Sequence, residues 1–411
     1  SEMCIRDRFL SDDKVFELIK KYGSPLYVYD ERILRKSCRE MHNLLPKKNL
    51  RVNYSAKANS NIEILKIVRD EDIDVDAMSP GEIYVQKLAG YNADRIFYIG
   101  NNVSKEEMQY AINEKVLVSV DSLAQLESFG QINPGGDVAV RFNPGIGTGH
   151  HQKVVTAGKK TKFGVQKDFI PQVKAILEKY NLNLVGIDQH IGSLFLEPDA
   201  YIKGVESLLE IATQFSGLKF IDMGGGFGVP YHEGECRLDL KELSEKLNAV
   251  LDEFLKDYDN KDVIFKIEPG RYIPAECGVL LGEVYSVKEN YGTTYVGTDL
   301  GFNVLMRPVL YDSYHAITII KSNKSENGKE VATIVGNICE SGDIIANERE
   351  MRKVSEGDIV AVGNAGAYGF SMSSNYNCRL KPAEVLIDKD GNDRLIRRRD
   401  TIEDLIRNFV N

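Results

Sequence analysis

The sequence has no apolar run of about eighteen residues, the length at which a membrane-crossing helix becomes an expectation. Its opening stretch, Ser1–Leu10, scatters charge instead of building the apolar centre of a secretory signal. Ser1–Arg8 match no element pattern and could be native or a foreign flank. The six cysteines, Cys4, Cys38, Cys236, Cys277, Cys339 and Cys378, form no C-x-x-C pair and no metal-finger spacing. No metal site and no disulfide framework are therefore expected, and a reducing cytoplasm is the predicted compartment. Positive charge is not in excess: 52 Lys and Arg face 61 Asp and Glu, a net charge of -9. That balance argues against nucleic acid as a partner. The one basic cluster, Arg397-Arg398-Arg399, is expected on a solvated face near a C-terminal helix. No internal repeat or low-complexity segment occurs.

What is present is ordinary globular material, 43% hydrophobic and 27% charged, in a 411-residue chain long enough for two cores. Between Leu50 and Arg271, β-rich runs alternate with stretches of helical spacing. The strand candidates are Arg51–Ser55, Ile73–Ala77, Arg95–Ile99, Leu117–Val120, Val138–Phe142, Leu184–His190, Lys219–Met223 and Val263–Glu268. Eight strands alternating with helices predict a (β/α)8 TIM-type barrel. A doubly wound sheet is the rival, but it rarely needs eight strands and usually carries a Gly-rich first turn. After Arg271 come strand-like runs joined by Gly and Asn turns: Val279–Lys288, Thr294–Asp299, Ala316–Ile320, Val331–Val335, Asp358–Val362 and Ala383–Ile387. They predict a C-terminal β-sandwich or β-barrel domain. The expected division is an N-terminal segment (1–25), a barrel (26–272) and a β domain (273–411), with the docking of the residues before Leu50, including the strand Leu26–Tyr29, left open.

A barrel collects its chemistry at the C-terminal ends of its strands. Polar residues recur there: Lys57, Asp76 and Ser79, Asn101, Asp121, Arg141 and Asn143, His190, Gly224–Gly226 and Glu268. A lysine at a strand end, between the small Ala56 and Ala58, suits Schiff-base chemistry once desolvated, although an exposed lysine is the plainer reading. The run Gly224-Gly225-Gly226 after the seventh strand could converge backbone N–H groups on a phosphate, or be a flexible turn. Glu268, in Glu268-Pro269-Gly270-Arg271, could face a pyridine nitrogen, and Arg271 could fork onto a phosphate or carboxylate. His190 could stack on a planar cofactor, with the Ser193 hydroxyl free for phosphate. Gly145–Gly149 lacks a P-loop lysine or dinucleotide fingerprint and reads as loop, as do His150 and His151. Cys339-Glu340 pairs a proton-donor candidate with a carboxylate.

Together the segments Tyr54–Asn59, His190–Ser193, Gly224–Tyr231, Glu268–Arg271, Arg307–His315, Ile338–Asp343 and Gly366–Tyr376 resemble the fold-type-III pyridoxal-phosphate decarboxylases, most closely the diaminopimelate decarboxylases. The resemblance runs from Gly23 to Leu405. It implies pyridoxal 5'-phosphate carried by Lys57 and conversion of meso-2,6-diaminopimelate to L-lysine and carbon dioxide. It also implies that Asp76, Arg141, His190, Ser193, Gly225, Gly226, Glu268, Gly270, Arg271 and Tyr368 hold the cofactor. Arg271, Arg307, Tyr311, Glu340 and Tyr368 then contact substrate, and Cys339 returns a proton. In such enzymes Cys339 and Glu340 enter the partner's barrel, so a homodimer with shared sites is implied. Met78-Ser79-Pro80-Gly81, Leu194-Phe195, Asn337, Asn364 and Leu300-Gly301-Phe302 depart from the usual pattern, at positions with no assigned cofactor role. The rivals are a decarboxylase of ornithine, arginine or carboxynorspermidine, an alanine-racemase-like enzyme, and a cofactor-binding homeostasis protein built on a lone barrel.

Overall fold

A computed structural model describes residues 9–145, 148–149, 161–323 and 328–410. Ser1–Arg8 with Cys4, the centre of the Gly145–Gly149 run, and His150 and His151 lie outside the described residues. The chain divides into two compact units, 35–229 with 236–273, and 1–34 with 230–235 and 274–411.

The first unit is the barrel. Its eight strands are Leu50–Ser55, Asp74–Ala77, Ile96–Tyr98, Leu117–Val120, Asp137–Asn143, Asn183–Asp188, Phe220–Asp222 and Ile264–Ile267. All neighbours pair in parallel, and the eighth returns to the first, where Ile267 partners Val52. The helices between them start where local chemistry says they should. Side chains of Asn61, Ser79, Ser104, Ser122 and Asp239 each accept a hydrogen bond from a first-turn backbone N–H. Met78-Ser79-Pro80-Gly81 is explained this way: Ser79 caps Pro80–Leu88, proline takes the first turn, and Glu82 reaches back to the Met78 N–H at 2.7 Å.

The second unit is built on a nine-stranded sheet. Here the expected division needs correcting. Leu26–Asp30 is not part of the barrel. It pairs antiparallel with Gly278–Asn290 and parallel with Ala383–Ile387. Leu26 and Val28 enter a core with Val279, Leu281, Ile359 and Val385, closed by Val15 and Leu18 of the helix Asp12–Tyr22. On the opposite face, the Tyr27 hydroxyl donates to Val304 O and the Tyr29 hydroxyl to Glu384. Two strands went unpredicted, Ile344–Arg352 and Asp393–Arg397. The basic cluster also divides. Arg398 pairs with Asp404 at the surface, Arg397 pairs with Asp400, and Arg399 turns inward to donate to Pro25 O at 2.6 Å. Only part of it is a solvated face.

Candidate active site

Each barrel candidate is placed by the strand that precedes it. Lys57 lies on a single 3-10 turn, Ala56–Ala58, directly after the first strand, exposed between two buried alanines. Ser55 is register partner of Asp76 and donates to it at 2.6 Å. Burial pushes the Asp76 carboxyl up to about 7, against the opposing pull of Lys57 and Ser55. Gln86, itself fully buried, holds the Asp76 backbone carbonyl. Asn101 donates to Asp121, so the ends of strands three and four are tied.

His190 follows the sixth strand, and its Nδ1 accepts from the Gly225 N–H at 3.2 Å. That bond leaves the ring proton on Nε2. Burial, with the charges of Lys57 and Arg141, pulls its pKa well down, so the imidazole is neutral. The glycine run is not a flexible turn. A Cβ on Gly225 would fall 1.9 Å from the Glu268 carbonyl oxygen, and one on Gly224 2.2 Å from that of Gln189. Gly224 and Gly226 take φ of +76° and +109°, which glycine tolerates best. The run is therefore pressed between the ends of strands six and eight.

Glu268 is 5% exposed, and its Oε1 has no hydrogen-bond partner among the described residues. Burial, then repulsion from Asp222, Asp76 and Asp188, holds its carboxyl well above the usual range. Arg271 donates to the Ser193 hydroxyl at 3.0 Å, bringing two predicted phosphate contacts together.

The remaining candidates lie in the β unit. Arg307 opens the short helix Arg307–Tyr311 and is 1% exposed. Its Nη1 lies 2.8 Å from His315 Nε2, its Nη2 3.4 Å from Ser313 Oγ, and its guanidinium 4.8 Å from the Tyr231 ring centre. Cys339 and Glu340 are exposed. Asn377 accepts the Cys339 N–H at 2.7 Å, and the Tyr376 hydroxyl donates to Glu340 at 2.5 Å. Tyr368 has φ +57° and is partly buried.

Sequence reasoning missed several charged groups in the barrel. Asp188, Asp222 and Lys266 received no role, although each stands two residues before an assigned position: His190, Gly224 and Glu268. Period-two spacing was the available signal. Glu82, raised by burial and acted on by Lys57, was also missed.

The family described as "Pyridoxal-dependent decarboxylase, pyridoxal binding domain" matches residues 31–275. Diaminopimelate decarboxylase of Methanothermobacter thermautotrophicus is 40% identical over 95% of this chain and 92% of its own length. The Escherichia coli enzyme of that name is 36% identical over 97% of each. The crystal structure of diaminopimelate decarboxylase from Helicobacter pylori, complexed with L-lysine, superposes with a TM-score of 0.88 at 30% identity. It covers 95% of this chain and 98% of that one.

Proposed function

The chain belongs to the diaminopimelate decarboxylase family of pyridoxal-dependent decarboxylases, and from that membership we propose that it converts meso-2,6-diaminopimelate to L-lysine and carbon dioxide, the closing step of lysine biosynthesis. The observation that carries the reading is the strand-end constellation. Four separate strands bring Lys57, Asp76, His190 and Glu268 to one end of the barrel. The residues fit pyridoxal phosphate: Glu268 offers a buried oxygen with no partner among the described residues, and Arg271 and Ser193 stand together as donors suited to a phosphate.

When bound, that cofactor supplies the electron sink for the pair left behind by carbon dioxide. The chain supplies the rest. The Lys57 amine would hold the cofactor. Glu268 keeps a proton at the ring nitrogen. Neutral His190 would adjoin the cofactor without adding charge to it. Asp76, Arg141, Gly225 and Gly270 would line the cofactor pocket, while Arg271, Ser193, Gly226 and Tyr368 would take the phosphate. Arg307, Tyr311 and Glu340, with Arg271 and Tyr368, read the far end of the substrate. Arg307 is already engaged, so a carboxylate reaches it by displacing its longer contact, to Ser313. The Cys339 thiol delivers the final proton. Cys339 and Glu340 come from the partner in a cytoplasmic homodimer whose active sites are shared. Carbon-dioxide release measured side by side with meso-diaminopimelate, lysine, ornithine and arginine tests this reading.

A further inference from the structure

Lys266 lies on the eighth strand two residues before Glu268, so the two side chains leave the same face. Its Nζ stands 4.7 Å from the ring centre of Phe97 and 4.3 Å from that of Phe220. Those rings come from strands three and seven and meet edge to face at 5.3 Å, which sets the ammonium inside the barrel. Gly186 makes the room: a Cβ there would fall 2.2 Å from the Phe220 ring.

The strand register then aligns four charges. Arg141 is partner of Asp188, Asp188 of Asp222, and Asp222 of Lys266. Side chains of parallel partners share a face, so a row of cation, carboxylate, carboxylate and cation crosses strands five to eight. Both carboxylates are fully buried. Asp188 takes a hydrogen bond from Ser119. Asp222 Oδ1 takes the Gly224 N–H at 2.9 Å, while its Oδ2 has no hydrogen-bond partner among the described residues.

We propose that Lys266 is a positioning residue for the proton at the cofactor's ring nitrogen: it keeps Asp222 ionised, and ionised Asp222 keeps that proton on Glu268 and the ring. The inference rests on the reading that pyridoxal phosphate occupies the barrel mouth. Burial pushes Asp222 up to about 7, and Lys266 is the strongest charge opposing it, with Asp188 and Asp76 on the other side. Asp222 in turn exerts the strongest charge effect on Glu268, ahead of Asp76, Asp188 and the opposing Arg141. Lys266 itself faces Asp222, Asp74, Glu268 and Arg51. A lysine that served only to fill space between two rings would be replaced by methionine without electrostatic consequence.

The test is a pH titration of the visible absorption of the bound cofactor, with kcat/KM recorded alongside. It is run on wild-type holoenzyme, Lys266→Met and Lys266→Arg. The pH step in that spectrum reports the ionisation of Asp222, and removing the cation beside Asp222 makes it hold its proton more tightly. The Lys266→Met titration should therefore move up by about one pH unit, and Lys266→Arg should return it to the wild-type position. A Lys266→Met holoenzyme that titrates with the wild type overturns the proposal, as does a folded Lys266→Arg holoenzyme that titrates with Lys266→Met. If Lys266→Met does not fold, Asp222→Asn decides in the same titration: the step should vanish, and an unchanged step overturns the proposal. Absence of the band from the wild type would instead sink the cofactor reading.

Discussion

The two units present their candidate residues in opposite ways. In the barrel, the candidate carboxylates are buried and repel one another, and oxygens of Asp76, Asp222 and Glu268 have no hydrogen-bond partner among the described residues. In the β unit, the buried candidate Arg307 is engaged by His315, Ser313 and Tyr231, while Cys339 and Glu340 stand exposed. An unsatisfied buried carboxylate costs stability unless something cationic or hydrogen-bonding arrives. The barrel carboxylates therefore have the character of a receptor, whereas the β-unit candidates are either already engaged or projecting.

Substitutions can break or sharpen that contrast. The largest effect is expected at Lys57. Lys57→Ala should lose the bound-cofactor absorption band and reduce turnover at least about a thousandfold; a retained band with full turnover would break the account of the barrel. Cys339→Ala should reduce turnover by roughly 10² to 10⁴ while keeping the cofactor. Loss of cofactor with the residual chemistry intact would show that Cys339 does not act as the projecting acid. Mixing those two variants sharpens the comparison further. Random exchange makes half the dimers mixed, each with one intact site of two, so about a quarter of wild-type activity should return. No recovery after confirmed exchange would argue against sharing.

Smaller effects concern pH. Asp76 and Asp222 are raised to about 7 and Asp188 to about 6 in the folded barrel, from an ordinary value of 3.8. Groups raised in this way bind protons more tightly when folded. Their contribution is fully present below the ordinary value and is lost as pH rises through about 6 to 7. Thermal unfolding of the cofactor-free protein should show this as a lower Tm at pH 7.5 than at pH 5, a difference that Asp222→Asn reduces. An unaltered difference in that variant would contradict the buried-repulsion view. The smallest change is expected in the β unit. Asp393 joins Lys14, Lys21 and Tyr22, and its carboxyl is held below the usual range chiefly by Lys14. Its contribution is present above the ordinary value and is lost on acidification, the opposite sign. Asp393→Asn should lower the Tm by a few degrees at neutral pH and leave catalysis alone.

The barrel was readable because its register repeats. A strand with a polar end recurs eight times, with a helix between each strand and the next, and each local signal agrees with its neighbours. Lys57, His190 and Glu268 could be picked out one by one from that rhythm. Leu26–Asp30 was misplaced because a five-residue strand buried on both faces has the same texture in either unit, and its pairing with residues about 250 and 360 positions away leaves no local trace. Arg399 was misread for the same reason, since its acceptor is the distant Pro25 carbonyl. Lys266 was overlooked because a lysine inside a barrel has no sequence signature apart from its spacing to Glu268. Cys339 and Glu340 lie outside any helix or strand and Arg307 opens a five-residue helix, so no periodicity marks them; Cys339-Glu340 was a weak signal on its own, and only the family resemblance pointed to Arg307.

The central claim is that the barrel and the β unit serve one decarboxylation. Its most direct measurement is carbon dioxide released by the pyridoxal-phosphate-loaded protein from meso-diaminopimelate, lysine, ornithine and arginine in parallel. Release from meso-diaminopimelate far above the other three, with L-lysine formed in equal amount, is the predicted result. Preferential release from ornithine or arginine, or α-proton exchange without carbon-dioxide loss, would contradict it.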